Sequence, residues 1–200
     1  MNKAVVFDVG RVLFHWQMRN LFEKIIHDEA ELDWFLAHVV TEEWHFQHDQ
    51  GMSLAEMLPA RISQFPDHAL RIAAYAARFS ETCDIPVEGV HELVRDLHAG
   101  GTPLYCLTNY GDELFTQFRA TQPIFDLFAD IIVSGTEKVA KPSARIYQIV
   151  EERAGREGGD LFFTDDNPAN IEAARTRGWD AHLFTDAGSL KKQLKNSGFL

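Results

Sequence analysis

Five short apolar runs recur along the chain: Ala4–Phe7, Leu104–Leu107, Ile131–Val133, Leu161–Phe163 and Ala181–Phe184. Each has the length and the branched or aromatic content of a strand buried on both faces. From Val87 onward the stretches between them change period. Val90, Leu93, Val94 and Leu97 repeat at i, i+3, i+4, i+7 ahead of Gly100 and Gly101; Ile146, Ile149, Val150 and Ala154 do the same ahead of Gly155; Asn170–Arg177 ends at Gly178. Such patterns are amphipathic helices with glycine stops. Strands alternating with helices predict a parallel sheet with right-handed crossovers, an α/β Rossmann-like core.

The segment from about Phe14 to Thr82 breaks this alternation. It has helical patterning and no convincing strand, so it is expected to be an insertion after the first strand. The predicted division is a core of residues 1–13 and 84–200 with a helical lobe of 14–83, Asp84–Glu88 serving as the return linker. Ser53-Leu54-Ala55-Glu56 has the form of a capping box, and Pro59 is expected to kink that helix or cut it short. Within the lobe, Trp44 and Phe46 are expected to be core. His45 and His48 stand at i, i+3, a spacing that suits zinc on a helix, but no third ligand is visible.

Composition narrows the functional classes. Nineteen Lys and Arg against thirty Asp and Glu give a net charge of −11 over 200 residues, which argues against a sequence-independent grip on nucleic acid. The acidity is concentrated between Glu23 and Glu56, where nine carboxylates face one basic residue, Lys24. Two cysteines, Cys83 and Cys106, lie outside any metal-ligand spacing and are expected to be buried and reduced. No apolar run is long enough to span a bilayer or to serve as a signal peptide, so a cytoplasmic location without membrane attachment is expected. Dinucleotide, P-loop, zincin and serine-hydrolase motifs are absent.

Ligands of open parallel sheets bind outside the carboxyl ends of the strands. The residues that end the predicted strands are Asp8, then Thr108 and Asn109, then Ser134 and Gly135, then Thr164, Asp165 and Asp166. Three carboxylates converging on one crevice repel one another by several kcal/mol, about 4 kcal/mol for a pair 4 Å apart, and need a counter-cation. Lys141 supplies one positive charge. A divalent ion with oxygen ligands, Mg2+, suits the remainder and is completed by substrate phosphate. A carboxylate nucleophile, a metal, a lysine and neutral donors together describe phosphoryl transfer through an aspartyl-phosphate.

The same residues carry a resemblance. Phe7-Asp8-Val9-Gly10-Arg11-Val12-Leu13, Leu107-Thr108-Asn109, Lys141-Pro142 and Phe163-Thr164-Asp165-Asp166-Asn167-Pro168-Ala169-Asn170-Ile171 resemble the four ordered motifs of the haloacid dehalogenase-like hydrolases. The helical insertion stands where that superfamily places a C1-type cap, and the chain is most similar to its small bacterial phosphatases acting on sugar phosphates. The resemblance implies Asp8 as nucleophile, with Thr108, the Asn109 backbone and Lys141 on the phosphate oxygens. It implies Asp8, Asp166 and the Gly10 carbonyl on the metal, with Asp165 ligating it or orienting Lys141. Gly10 departs from the pattern, because most phosphatases of the superfamily carry an aspartate there as general acid and base. His15 is the first candidate to replace it.

The expected function is therefore magnesium-dependent hydrolysis of a small phosphomonoester, such as a sugar phosphate, by a monomer or homodimer. Two alternatives differ in class. A 2-haloacid dehalogenase would use Asp8 without metal, since a halide needs no proton; a catalytically silent binding module would keep the fold alone.

Overall fold

The structure is a computed structural model that describes residues 3–200. In chain order, β1 (Ala4–Phe7) and β2 (Phe14–His15) precede five helices, α1 (Arg19–Phe22), α2 (Glu29–His38), α3 (Glu42–Asp49), α4 (Leu54–Gln64) and α5 (Ala69–Arg78). Then follow β3 (Ile85–Pro86), α6 (Val90–Ala99), β4 (Leu104–Thr108), α7 (Asp112–Arg119), β5 (Asp130–Val133), α8 (Ser134–Glu137) and α9 (Ala144–Ala154). The chain closes with β6 (Leu161–Asp165), α10 (Pro168–Thr176), β7 (Asp180–Leu183) and α11 (Ala187–Asn196).

Five strands form one parallel sheet in the order β5-β4-β1-β6-β7. All five predicted runs are strands of it, because a strand covered by helices on both faces reads as a continuous apolar stretch. Successive side chains alternate between two cores. Val5, Phe7 and Cys106 face one layer with α6, α7 and α11, whereas Val6, Leu107 and Phe163 face the other with Ile146, Tyr147 and Trp179. The edge strand β7 departs from the expectation of burial on both faces, since its residues are half-buried or exposed.

From β1 the chain builds outward to β4 and β5, then returns to the opposite side of β1 for β6. The sheet reverses direction between β1 and β6. A crevice forms outside the carboxyl ends at such a switch point, and Asp8 leaves β1 there while Asp165 ends β6 there.

Helices α1 to α5 occupy the span between β2 and β3. Capping explains several of their starts: the Asp28, Thr41 and Ser53 side chains accept from Glu31, Trp44 and Glu56 amides, and Glu56 completes the box at Ser53. Two expectations fail in this region. The first is Pro59, which does not cut α4 short; the helix runs through it to Gln64, with Pro59 and Ala55, whose carbonyl loses its partner, both exposed. The second concerns strands: β2 pairs antiparallel with β3, Phe14 opposite Pro86 and His15 opposite Ile85, where a lobe without strands and a plain linker were expected. The amide of Gln17 bonds the Thr82 carbonyl just beyond that ribbon, so the departing and returning chains are tied together.

The interior of this helical segment is continuous with one core of the sheet. Phe14 packs edge-on against Phe118 at 5.0 Å, and Phe79 against Tyr110 at 5.6 Å. Trp44 is buried beside Tyr75 as expected, but Phe46 is only half-buried. Cys83 and Cys106 are both free and buried. No helix of the described residues is long and apolar enough to cross a membrane.

Candidate active site

The hydrogen bond from the Asp8 amide to the Thr164 carbonyl continues the β1–β6 ladder by one residue, so the Asp8 side chain emerges at the mouth of the switch point. Its Oδ1 accepts from the Val9 amide at 2.8 Å and from Lys141 Nζ at 2.8 Å. Lys141 also donates to Asp165 Oδ2 at 2.7 Å and to the Leu107 carbonyl at 2.9 Å. All three protons of the ammonium are therefore assigned. This saturation is what allows a lysine to be 98% removed from solvent, since a buried charge lacking partners is costly.

Asn109 fixes that lysine through its backbone. Asn109 Nδ2 donates to the Lys141 carbonyl at 3.0 Å, while the side-chain oxygen accepts from the Lys141 backbone amide at 2.8 Å. Pro142 lies in the turn before α9. Asp165 is fully buried and crowded with donors: its Oδ1 takes the Asn167 amide, Asn170 Nδ2 reaches both oxygens at 3.0 Å, and Lys141 holds Oδ2. Thr108 is buried at the end of β4, its hydroxyl 3.5 Å from the Asn109 carbonyl.

Asp8, Asp165 and Asp166 each place one carboxylate oxygen within 4.8 Å of the others, the sole such metal-holding group of carboxylate, His or Cys side chains among the described residues. Lys141 cancels one of three negative charges. Arg11 comes only to 3.9 Å from Asp166 and is half-exposed, so it screens weakly. Burial first and Asp165 second push the Asp166 carboxyl above the usual carboxylate range, with Arg11 and Lys141 opposing. Burial likewise raises Asp8 to about 7, against Lys141 and with Asp165. Burial alone would lower Lys141, yet Asp165 and Asp8 hold it well above the ordinary lysine value, so it stays charged.

This donor set fits a divalent cation. Hard oxygen ligands with two uncompensated charges suit Mg2+ rather than a soft metal. The oxygens of Asp165 are engaged, so Asp8 Oδ2 and Asp166 are the side-chain donors left, and Gly10 lines the same cavity. His45 and His48 do not contribute. His45 Nδ1 meets the Tyr75 hydroxyl at 2.7 Å, and His48 Nδ1 meets the Met52 carbonyl at 2.7 Å.

The cavity over Asp8 measures about 240 Å³. One wall is the β1–β6 end of the sheet with Asp8, Lys141 and Asp166; the other is the inner face of α3 with His45, Phe46 and Asp49, closed by Trp16. His15 is not part of it; it points outward from β2. Three residues here had no role assigned from the sequence. Asn170 holds Asp165, Arg11 stacks over Trp16 at 4.9 Å while pairing with Glu42 at 3.2 Å, and Asp49 is a carboxyl buried in the far wall. Asn170, in the quoted fourth motif, was within reach of sequence reasoning as a strand-end donor; Asp49 was one acid among nine.

The α3 wall is locked to the sheet. Ser134 Oγ donates to the Asp49 carbonyl at 2.6 Å while accepting from the Tyr110 amide at 3.0 Å. The His48 ring lies on Gly111, where a Cβ would come within 1.8 Å of it.

Comparison with known proteins agrees with this geometry. The sequence profile of haloacid dehalogenase-like hydrolases matches residues 2–178. A sesquiterpene phosphatase of Aspergillus oryzae, astK, is 27% identical over 187 residues, covering 92% of this chain and 91% of that protein. A drimenol cyclase of Aspergillus calidoustus, drtB, is 22% identical over 98% of this chain but only 36% of its own length. The enzyme bt-2542 of Bacteroides thetaiotaomicron, solved with magnesium and inorganic phosphate, superposes with a TM-score of 0.71 at 22% identity, covering 93% of this chain and 96% of the other.

Proposed function

The chain belongs to the haloacid dehalogenase-like hydrolases, and from that premise we propose that it is a magnesium-dependent phosphatase hydrolysing a small phosphomonoester through an aspartyl-phosphate on Asp8. The observation that carries this reading is the charge balance at the switch point. Lys141 bridges Asp8 and Asp165, and Asp166 remains as a carboxylate without a close cation. A metal-free dehalogenase has no use for that third acid. A silent module has no reason to keep a saturated buried lysine beside it.

Asp8 attacks phosphorus, since its Oδ1 is oriented by the Val9 amide and Lys141. Lys141, its three protons already assigned, screens the repulsion between the nucleophile and its anionic substrate, and Thr108 and the Asn109 backbone beside it take the phosphate oxygens. Asp165 positions Lys141, and Asn170 positions Asp165. Asp8, Asp166 and the Gly10 carbonyl would hold the magnesium ion, which when bound neutralises charge developing on the phosphoryl oxygens. Residues 14–83 act as the cap that supplies the leaving-group side of the cavity.

Trp16 and Phe46 make that side aromatic. Together with the sesquiterpene phosphatase relative, this favours the phosphate ester of an apolar alcohol over a sugar phosphate. Phosphate release should be measured on a panel of prenyl, alkyl and sugar phosphates and 2-haloacids, with magnesium and with chelator. Expected is metal-dependent phosphate release that falls on the order of 10⁵-fold in Asp8→Asn, and magnesium-induced thermal stabilisation that disappears in Asp166→Ala. Halide release surviving chelation overturns the reading.

A further inference from the structure

We propose that Asp49, on the last turn of α3, is the proton donor to the leaving group. The inference rests on the phosphatase reading above and assigns it a residue that the core wall cannot supply.

An alkoxide is a poor leaving group, so the ester oxygen must receive a proton as its bond to phosphorus breaks. On the sheet side no group outside the proposed metal ligands is free to give one. Lys141 spends its three protons on Asp8, Asp165 and the Leu107 carbonyl, Asp165 is enclosed by donors, and Gly10 has no side chain. The opposite wall offers five titratable candidates, of which the Cys83 thiol is pushed by burial up to about 11. Glu42 is exposed and paired with Arg11. The Tyr110 hydroxyl lies 3.2 Å from Cys83 Sγ, and burial raises the pKa of Tyr110 further. His45 is stacked between Trp16 and Phe79, and burial holds it down to about 3, so it carries no proton to give.

Asp49 remains. Its side chain lines the cavity with Asp8 while being 95% removed from solvent, and its Oδ1 is a buried polar atom without a hydrogen-bond partner. A buried carboxyl oxygen without a partner calls for a reason, and this one borders the cavity that Asp8 opens into. The groups that face it are His45 from its own helix, Tyr75 from α5, Tyr110 and the Gly111 amide from the β4–α7 turn, and Lys141 and Asp8 across the cavity. Burial dominates, raising the carboxyl to about 8 against the Gly111 amide and Lys141. It is thus protonated at neutral pH. Ser134 Oγ on its own carbonyl and the close seat of His48 on Gly111 fix its place in the cavity wall that Asp8 shares.

The step balances as follows. A carboxylate oxygen of Asp8 forms a bond to phosphorus; the phosphorus–ester oxygen bond breaks, its electron pair staying on oxygen; that oxygen takes the Asp49 proton and leaves as the alcohol. The Asp49 carboxylate then faces His45 Nε2, 3.5 Å from its Oδ2, while the Tyr75 hydroxyl sits on Nδ1. In the second half Asp49 takes a proton from water as the water oxygen bonds to phosphorus. The acyl-phosphate bond breaks, Asp8 regains its carboxylate, inorganic phosphate departs and Asp49 is protonated again.

The test compares leaving groups. For Asp49→Asn, kcat/KM toward an alkyl phosphate should fall by about 10²–10⁴-fold, whereas kcat/KM toward 4-nitrophenyl phosphate, whose leaving group needs no proton, should fall less than about tenfold. A merely structural role would lower both alike. An unchanged or uniform loss overturns the assignment while wild-type phosphatase activity still stands. A wild type inactive on every phosphomonoester removes the phosphatase reading and this assignment with it. If the variant folds poorly, the wild type decides: a kcat/KM series over phosphates of rising alcohol pKa should be nearly flat with an internal donor, and a steep decline overturns the proposal.

Discussion

The two walls of the cavity solve the problem of buried acids in opposite ways. On the sheet side Asp8 and Asp165 share one lysine within 2.8 Å, and charge is met by charge. On the α3 side Asp49, His45 and Tyr75 are buried with no cation at contact distance, so burial drives the acid up and the base down until both are neutral. The contrast shows that burial alone does not decide a group's chemistry. Desolvation raises both acids, Asp8 to about 7 and Asp49 to about 8, but on the sheet side a saturated lysine at contact distance opposes it and on the α3 side none does. One wall is built to manage a phosphate's charge, and the other to manage a proton.

The largest test of this contrast removes the lysine. Lys141→Met keeps the volume but leaves Asp8 and Asp165 facing each other without their cation, so unfolding in urea should show a loss of about 3–5 kcal/mol near neutral pH. A loss under about 1 kcal/mol would mean that the sheet wall does not depend on charge compensation.

The neutral wall predicts a pH effect instead. The Asp49 carboxyl is raised from 3.8 to about 8 on folding. Its contribution to stability is fully present below the unfolded value and declines as pH rises from about 4 through about 8. Asp49→Asn cannot titrate, so the stability of the variant relative to wild type should improve across that window, by on the order of 5 kcal/mol at most, and level off above it. Asp8 shifts in the same direction, but it is present in both proteins and cancels. Parallel stability curves between pH 5 and 9 would show that Asp49 is charged in the folded protein.

The smallest effect concerns the contact between the walls. Gly111 has an ordinary negative φ of −70°, so Gly111→Ala brings no backbone strain, and the atoms nearest its Cβ belong to the His48 ring. A cost of about 1–3 kcal/mol is expected. If α3 shifts in response, kcat/KM for alkyl phosphates should drop more than for 4-nitrophenyl phosphate, as in Asp49→Asn. Equal drops would separate the docking of α3 from proton donation.

Much of the sheet wall was legible in the chain. The five strands read as apolar runs because both their faces are covered, and each candidate acid stands at the carboxyl end of one. The β2–β3 ribbon was not legible, since two-residue strands have no period and Ile85 and Pro86 are exposed. Pro59 misled because its cost depends on whether the freed carbonyl of Ala55 meets water, which is a property of the helix's orientation. His15 was the natural guess by proximity in sequence, but alternation along β2 turns it outward.

By itself the sequence determined the order of strands and helices, the convergence of Asp8, Lys141, Asp165 and Asp166, and the excess of negative charge there that asks for a metal. Those follow from local periodicity and from a topology whose strand ends share one edge. Only the tertiary structure decided which acid of the helical segment matters. Asp49 differs from its eight acidic neighbours between Glu23 and Glu56 in nothing written locally. It differs because α3 docks on Gly111 and Ser134 and removes that one carboxyl from water, and the free energy of an ionisable group is set by its surroundings in space.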